Sequence, residues 1–438
     1  MAVENILANL FGWLDESTCN FMAVRTMRCL LDEMGFQRIS ESESWSLAPG
    51  GKYYMIKNGT ALFAFVVGTG SVETDGFRII AAHSDSPCFK LKPNCEIYGD
   101  GGVVKLNVEK YGGAILSTWF DRPLSISGRV ALRGEDWLHP RELTVDLRRP
   151  VATIPNLAIH FNRQVNDGVK LSVQKDMLPV MGYFTPQEIE NHKKYGGLVR
   201  MLVAEELHVR PEEIVDYELC VYSAEKAERV GVNGEFFQSG RIDDLSMAFA
   251  GLQALVDEHE HSTLATRVLA VFDNEETGSG TKQGAAAPVL RNILERICLE
   301  LGHGGEDFFR ALANSFMISA DDAHAWHPNY NEKYDPTNHP VMGGGPVVKI
   351  NANCKYMTDS RAAAVFIELC RAAGVPFQYF VNHSDNAGGS TLGNISTSQL
   401  GVEGVDVGNA IWAMHSARET AAVQDQVAMV RVMREFFR

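Results

Sequence analysis

The sequence predicts an α/β fold on a mainly parallel central sheet, with a mostly-β domain inserted into it. Three observations carry that prediction. Short apolar runs recur along the chain, each ending in a polar cluster. Segments with helical apolar spacing separate them. Between residues 95 and 235 this alternation gives way to shorter strand-like runs divided by polar or basic turns.

At the N-terminus, Ile6, Leu7, Leu10, Phe11 and Leu14 follow helical spacing around Glu4, which reads as an amphipathic helix and not as a leader. Residues 77–82 (FRIIAA) run into His83-Ser84-Asp85, and 267–272 (RVLAVF) into Asp273-Asn274-Glu275-Glu276. Residues 316–319 (FMIS) run into Asp321-Asp322, 377–381 (FQYFV) into His383-Ser384-Asp385, and 410–414 (AIWAM) into His415. Continuous apolar runs of this length suit strands buried on both faces. Helices are expected over 245–259, behind Asp243-Asp244, and over 361–373, which closes with Gly374 and Pro376. A further helix is expected over 427–437, apolar at Met429, Met433 and Phe437. Strands alternating with helices form a parallel layer, and such layers bind ligands beyond the carboxyl ends of their strands. Within the middle stretch, runs at 103–108, 124–132 and 143–147 precede a helical piece near 186–207. The expected domains are therefore 1–94 plus 236–438, and an inserted 95–235.

The chain has 438 residues, 45% of them hydrophobic, with 55 acidic against 40 basic side chains and a net charge of −15. That length suits two or three domains. The negative field repels phosphate backbones and anionic lipid, so neither nucleic acid nor membrane is an expected partner. No apolar run approaches the roughly 18–20 residues that span a bilayer. Eight scattered cysteines with no CxxC pair read as reduced thiols, and the expected compartment is cytoplasmic.

His83, Asp243, Glu276, Asp321 and His415 are two imidazoles and three carboxylates. Gathered into one pocket, so many anionic groups need cations to neutralise them. Two divalent ions with one bridging carboxylate would do so; imidazole plus carboxylate suits zinc, with manganese or cobalt as substitutes. Asp85, two residues beyond His83, faces the same side of an extended segment and would orient the imidazole. Of the neighbours Glu275 and Glu276, one carboxylate can bind metal while the other takes a proton from water. Read one at a time, the same residues also suit a satisfied core histidine and a solvated acidic turn. Gly68-Thr69-Gly70 lacks the third glycine of a dinucleotide loop, the glycines around Lys282 lack phosphate-loop spacing, and no GxSxG elbow is present.

With these residues go AAHSDSP (81–87), TWFDRPL (118–124), IPNLAIH (154–160), RIDDL (241–245), DNEETGS (273–279), SADDAHAWHPNY (319–330), GPVVKIN (345–351) and AMHSARE (413–419). In this order, over essentially the full length, the chain resembles the aspartyl aminopeptidases, a family of dinuclear zinc aminopeptidases. The resemblance implies one zinc on His83, Asp243 and Asp321 and a second on Asp243, Glu276 and His415, with Asp243 as the bridge. It implies Glu275 as general base and Asp85 as the residue that orients His83. It also implies a metallopeptidase domain with an inserted dimerisation domain, and a homododecamer built from dimers, in which His160 reaches a neighbouring subunit's site. Lys349 and Tyr356, with His339 nearby, occupy the matching substrate pocket, and His324 is a further candidate. The implied activity is removal of N-terminal Asp or Glu from short peptides. Asp244 stands where asparagine is commoner in the family.

Three other readings remain open to the sequence: a dinuclear-zinc aminopeptidase for neutral residues, an amidohydrolase of N-acyl amino acids, and an inactive peptidase-fold assembly or cargo protein.

Overall fold

A computed structural model describes residues 3–386 and 388–438. The chain divides into two compact units: Met1–Asp85 with Ala227–Met414 and Glu419–Arg438, and Ser86–Lys226 with His415–Arg418. The divisions after Asp85 and Lys226 each fall nine residues before the expected 94 and 235 (94 − 85 and 235 − 226).

In the first unit a nine-stranded sheet runs Gln37–Arg38, Lys52–Lys57, Ala61–Val66, Thr266–Phe272, Phe77–His83, Phe316–Ala320, Glu403–Gly408, Val347–Lys349 and Gln378–Phe380. Its centre is parallel: Thr266–Phe272 pairs with Phe77–His83, which pairs with Phe316–Ala320, which pairs with Glu403–Gly408. Antiparallel pairs on both sides of that centre make the whole sheet mixed.

Strand alternation sorts the apolar side chains onto two faces. Ile80, Ala82, Leu269, Val271, Leu62 and Ala64 join one core with the helices Val3–Glu16, Asn20–Glu33, Ile242–Glu258, Ser360–Ala373 and Val423–Phe437. Phe77, Ile79, Val268, Ala270, Phe63 and Phe65 join another with Val289–Glu300, Gly305–Ala313 and residues of Leu392–Leu400. Covered on both sides, these strands read as unbroken apolar runs.

Two expected strands behave differently. Residues 377–381 shrink to the edge strand Gln378–Phe380, where Phe380 alone is buried, so this run is not covered on both faces. Residues 410–414 yield Ala410–Trp412, which lies in a separate five-stranded sheet with Glu228–Val230, Phe236–Ser239, Glu419–Ala422 and Ala323–His324. His415 therefore does not follow a strand of the main sheet. The central strand Glu403–Gly408 gave little apolar signal because two of its residues are glycines. A Cβ on Gly404 would come within 2.4 Å of Met317 O, and one on Gly408 within 2.0 Å of Asp321 O. Close approach of neighbouring backbone, not side-chain packing, dictates the residue there.

The second unit carries a six-stranded sheet in the order Arg141–Asp146, Leu124–Leu132, Ile214–Ser223, Cys88–Tyr98, Val103–Tyr111 and Val180–Tyr183, antiparallel throughout. The helical piece near 186–207 is two helices, Pro186–Lys194 and Leu198–Glu206, interrupted at Gly196 and Gly197, both at positive φ.

Asp425, fully buried in the C-terminal helix, accepts the N–H groups of Gly343 and Gly345, each at 2.8 Å. Burial nonetheless pushes its carboxyl up to about 6. A raised acid stabilises the fold fully below its unfolded pKa, near pH 4, and that contribution is lost as pH rises through about 6. At about 1.4 kcal/mol per pKa unit the effect is on the order of 3 kcal/mol. Asp425→Asn should remove it, so the parent's melting temperature should fall relative to the variant's between pH 4.5 and 7. Melting curves that shift in parallel would refute this.

Candidate active site

Three neighbouring strand ends and one helix start converge within the first unit. Phe77–His83 ends on His83, whose ladder partner is Phe272, so Asp273 to Glu276 emerge beside it. Phe316–Ala320 delivers Asp321, and the helix Ile242–Glu258 opens on Asp243 and Asp244. One ligand atom from each of His83, Asp243, Asp244 and Asp321 lies within 4.8 Å of the others, and all four residues are buried. Asp243 and Glu276 likewise bring carboxylate oxygens within 4.8 Å of each other.

The imidazole is held from two directions. His83 Nδ1 sits 3.0 Å from the Asp85 carbonyl oxygen and 3.4 Å from its Oδ1, while Nε2 faces Asp243 Oδ1 at 3.5 Å. The Asp85 carboxylate also accepts the N–H groups of Glu275, at 3.1 Å, and Glu276, at 3.2 Å, and so fixes the short turn that carries both glutamates. Asp244 Oδ2 accepts the His83 N–H at 3.0 Å, and the Asp243 N–H donates to Glu419 at 3.1 Å.

Burial pushes the carboxyls of Asp244 and Asp322 well above the ordinary range. Glu275 rises to about 8, first through burial and then through the charges of Asp321, Glu276 and Asp243. Burial works against a charged His83, but Asp244, Asp243 and Asp85 outweigh it and hold the imidazole well above its usual value. The side chains fit a divalent metal on two counts: imidazole and carboxylate are zinc donors, and Asp244 Oδ1 is buried with no hydrogen-bond partner.

Lys349 is 3% exposed, and its ammonium donates to Asp321 Oδ1 at 3.2 Å. Burial opposes its charge, but Asp321, Tyr356, Asp406 and Asp243 together more than compensate and raise its pKa. Tyr356 is buried with its ring centroid 5.8 Å from Lys349 Nζ. The exposed His324 stacks edge-on near Phe380, with ring centroids 5.9 Å apart. His339 Nδ1 lies 2.6 Å from the Asp335 carbonyl oxygen. In the second unit, His160 occupies an exposed turn with Ile159 and Phe161, and the His415 carbonyl accepts the Ile115 N–H at 3.0 Å.

Residues 13–437 match the model of the Aminopeptidase I zinc metalloprotease family, M18. The chain belongs to the M18 family. It is 47% identical to the probable M18 family aminopeptidase 2 of Clostridium novyi, over 98% of this chain and 97% of that protein. A chain in the cryo-EM structure of the Ape4 and Nbr1 complex superposes with a TM-score of 0.95 at 35% identity, covering 99% of this chain and 86% of that one. A chain of the S. cerevisiae mApe1 dodecamer superposes with a TM-score of 0.85 at 28% identity, covering 99% and 96%. This M18 chain is thus a zinc-dependent aminopeptidase, a metallo-exopeptidase. Among the described residues, no helix is long and apolar enough to cross a membrane.

Around the M18 centre the structure adds buried acids to the expected set. Asp322 accepts Ser246 Oγ at 2.7 Å, and Asp406 accepts Ser319 Oγ and Thr391 Oγ1, each at 2.6 Å. Glu419 and Asp244 hold the backbone N–H groups of Asp243 and His83. For Asp322 and Asp244 the doubled acid beside a buried apolar run was a usable signal. Asp406, within EGVDVG, had none.

Proposed function

We propose that this aminopeptidase removes N-terminal Asp or Glu from short peptides with two zinc ions, using Glu275 as general base. The supporting observation is the buried convergence of His83, Asp243 and Asp321, with Asp243 also close to Glu276. One ion is assigned to His83, Asp243 and Asp321, and the other to Asp243, Glu276 and His415. Bound zinc supplies Lewis acidity, which polarises a peptide carbonyl and makes water nucleophilic near neutral pH. Neutralising the surrounding acids lowers the Glu275 carboxyl from about 8, so that it can accept a proton from the attacking water and return it to the leaving amine. Asp85 positions Glu275 through its backbone and holds the His83 ring.

Lys349, with Tyr356 beside it, is assigned to the carboxylate of an acidic first residue, with His339 and His324 at the pocket's approach. A second reading, preference for neutral residues, draws support from one contact: the Lys349 charge is already paired with Asp321. Rates on Asp-, Glu- and Leu-amides before and after Lys349→Ala separate the two readings. Under the acidic reading, the variant loses ten-fold or more of kcat/KM on Asp-amide, as expected for a lost charged hydrogen bond worth about 1.5–3 kcal/mol, and little on Leu-amide. Equal losses on both amides would leave Lys349 as a partner of Asp321 alone.

The proposal extends to a homododecamer assembled from dimers through residues 95–235, with His160 serving a neighbouring site. Similarity to a dodecameric relative supports it, as does the exposure of Leu157 (58%), Ile159 (52%) and Phe161 (81%) around His160.

A further inference from the structure

Behind the metal-facing side chains, four buried residues close a ring of hydrogen bonds. Ser246 Oγ donates to Asp322 Oδ2 at 2.7 Å, and the Asn409 N–H donates to Asp322 Oδ1 at 3.2 Å. Asn409 Nδ2 donates to Gln426 Oε1 at 2.8 Å, and Gln426 Nε2 returns to the Ser246 carbonyl at 2.9 Å. None of the four is more than 2% exposed.

The ring links four elements at their buried ends. Ser246 lies three residues after Asp243, just past the non-helical Asp243 and Asp244, and Asp322 directly follows Asp321. Asn409 sits between Glu403–Gly408 and Ala410–Trp412, and Gln426 belongs to the C-terminal helix Val423–Phe437. The ring therefore ties the helix start that presents Asp243 to the strand end that presents Asp321. Apolar contacts tolerate small slips between helix and strand, whereas hydrogen bonds weaken steeply with misalignment. Stability alone does not account for the ring. Asn409 Oδ1 accepts no hydrogen bond, and a buried amide left partly unsatisfied costs more than an apolar side chain in its place.

We infer that Ser246 and Gln426 are positioning residues that set the spacing of Asp243 and Asp321 and thereby the affinity of the centre for zinc. The inference rests on the metal assignment proposed above. It deepens that assignment by adding residues that touch no metal and no substrate.

The test is zinc titration of the chelator-treated full-length protein against a competing fluorescent chelator, with the melting temperature of each zinc-free protein measured alongside. Ser246→Ala and the near-isosteric Gln426→Met should each weaken zinc binding 10- to 100-fold, as loss of such supporting partners does elsewhere. Their zinc-free forms should melt within a few degrees of the parent. Unchanged affinity in both variants would overturn the inference, as would an affinity loss accompanied by unfolding of the zinc-free form of the milder Ser246→Ala. A parent that binds no zinc would instead remove the metal assignment itself, so the two failures are distinguishable.

Discussion

Glu275→Gln should leave zinc content unchanged while lowering kcat by about 10²- to 10⁴-fold, the span general-base catalysis contributes. The substitution keeps the side chain's shape and its backbone N–H, and so the hydrogen bond to Asp85 that fixes the turn. Only the ability to accept a proton disappears. KM should change little if Glu275 acts on water and not on substrate. Metal analysis and steady-state kinetics on one preparation check both halves: a fully metallated variant with near-parental turnover would refute the assignment of the base to Glu275.

The second large effect is expected one residue later. Glu276→Ala, and likewise His415→Ala, should lower zinc stoichiometry from about two per chain to about one, because each removes one of three protein donors from the same ion. Asp243→Ala should empty both positions. Turnover should become undetectable in each case, and added zinc should restore some of it only in the first two. Loss of metal also removes its stabilisation of the fold, about 4 kcal/mol for a ligand present at 1,000 times its dissociation constant. Chelator treatment of the parent should therefore lower its melting temperature, and readdition of zinc should restore it. Should Glu276→Ala retain full zinc content, the pairing of Glu276 with a second ion would be wrong.

Strands buried on both faces were legible because burial on two sides demands consecutive apolar residues, as in 77–83 and 266–272. Helices such as Val3–Glu16 and Ser360–Ala373 were legible for the complementary reason, since one buried stripe imposes a helical period. Glu403–Gly408 escaped notice because glycine at 404 and 408 answers to backbone proximity, which has no local sequence period. The helices Asn20–Glu33, Val289–Glu300 and Gly305–Ala313 were also unread, although each buries an apolar face.

The residue types of the centre, acids and imidazoles placed where apolar runs end, follow from the order of amino acids alone, because a parallel layer presents its strand ends together. That Asp243 and Asp244 both bring a carboxylate oxygen within 4.8 Å of His83 and Asp321 was settled by folding. So was the pairing of Lys349 with Asp321, and so was the ring from Ser246 to Gln426, 180 residues apart. These depend on distances between segments remote in sequence, and only the packing of the chain sets such distances.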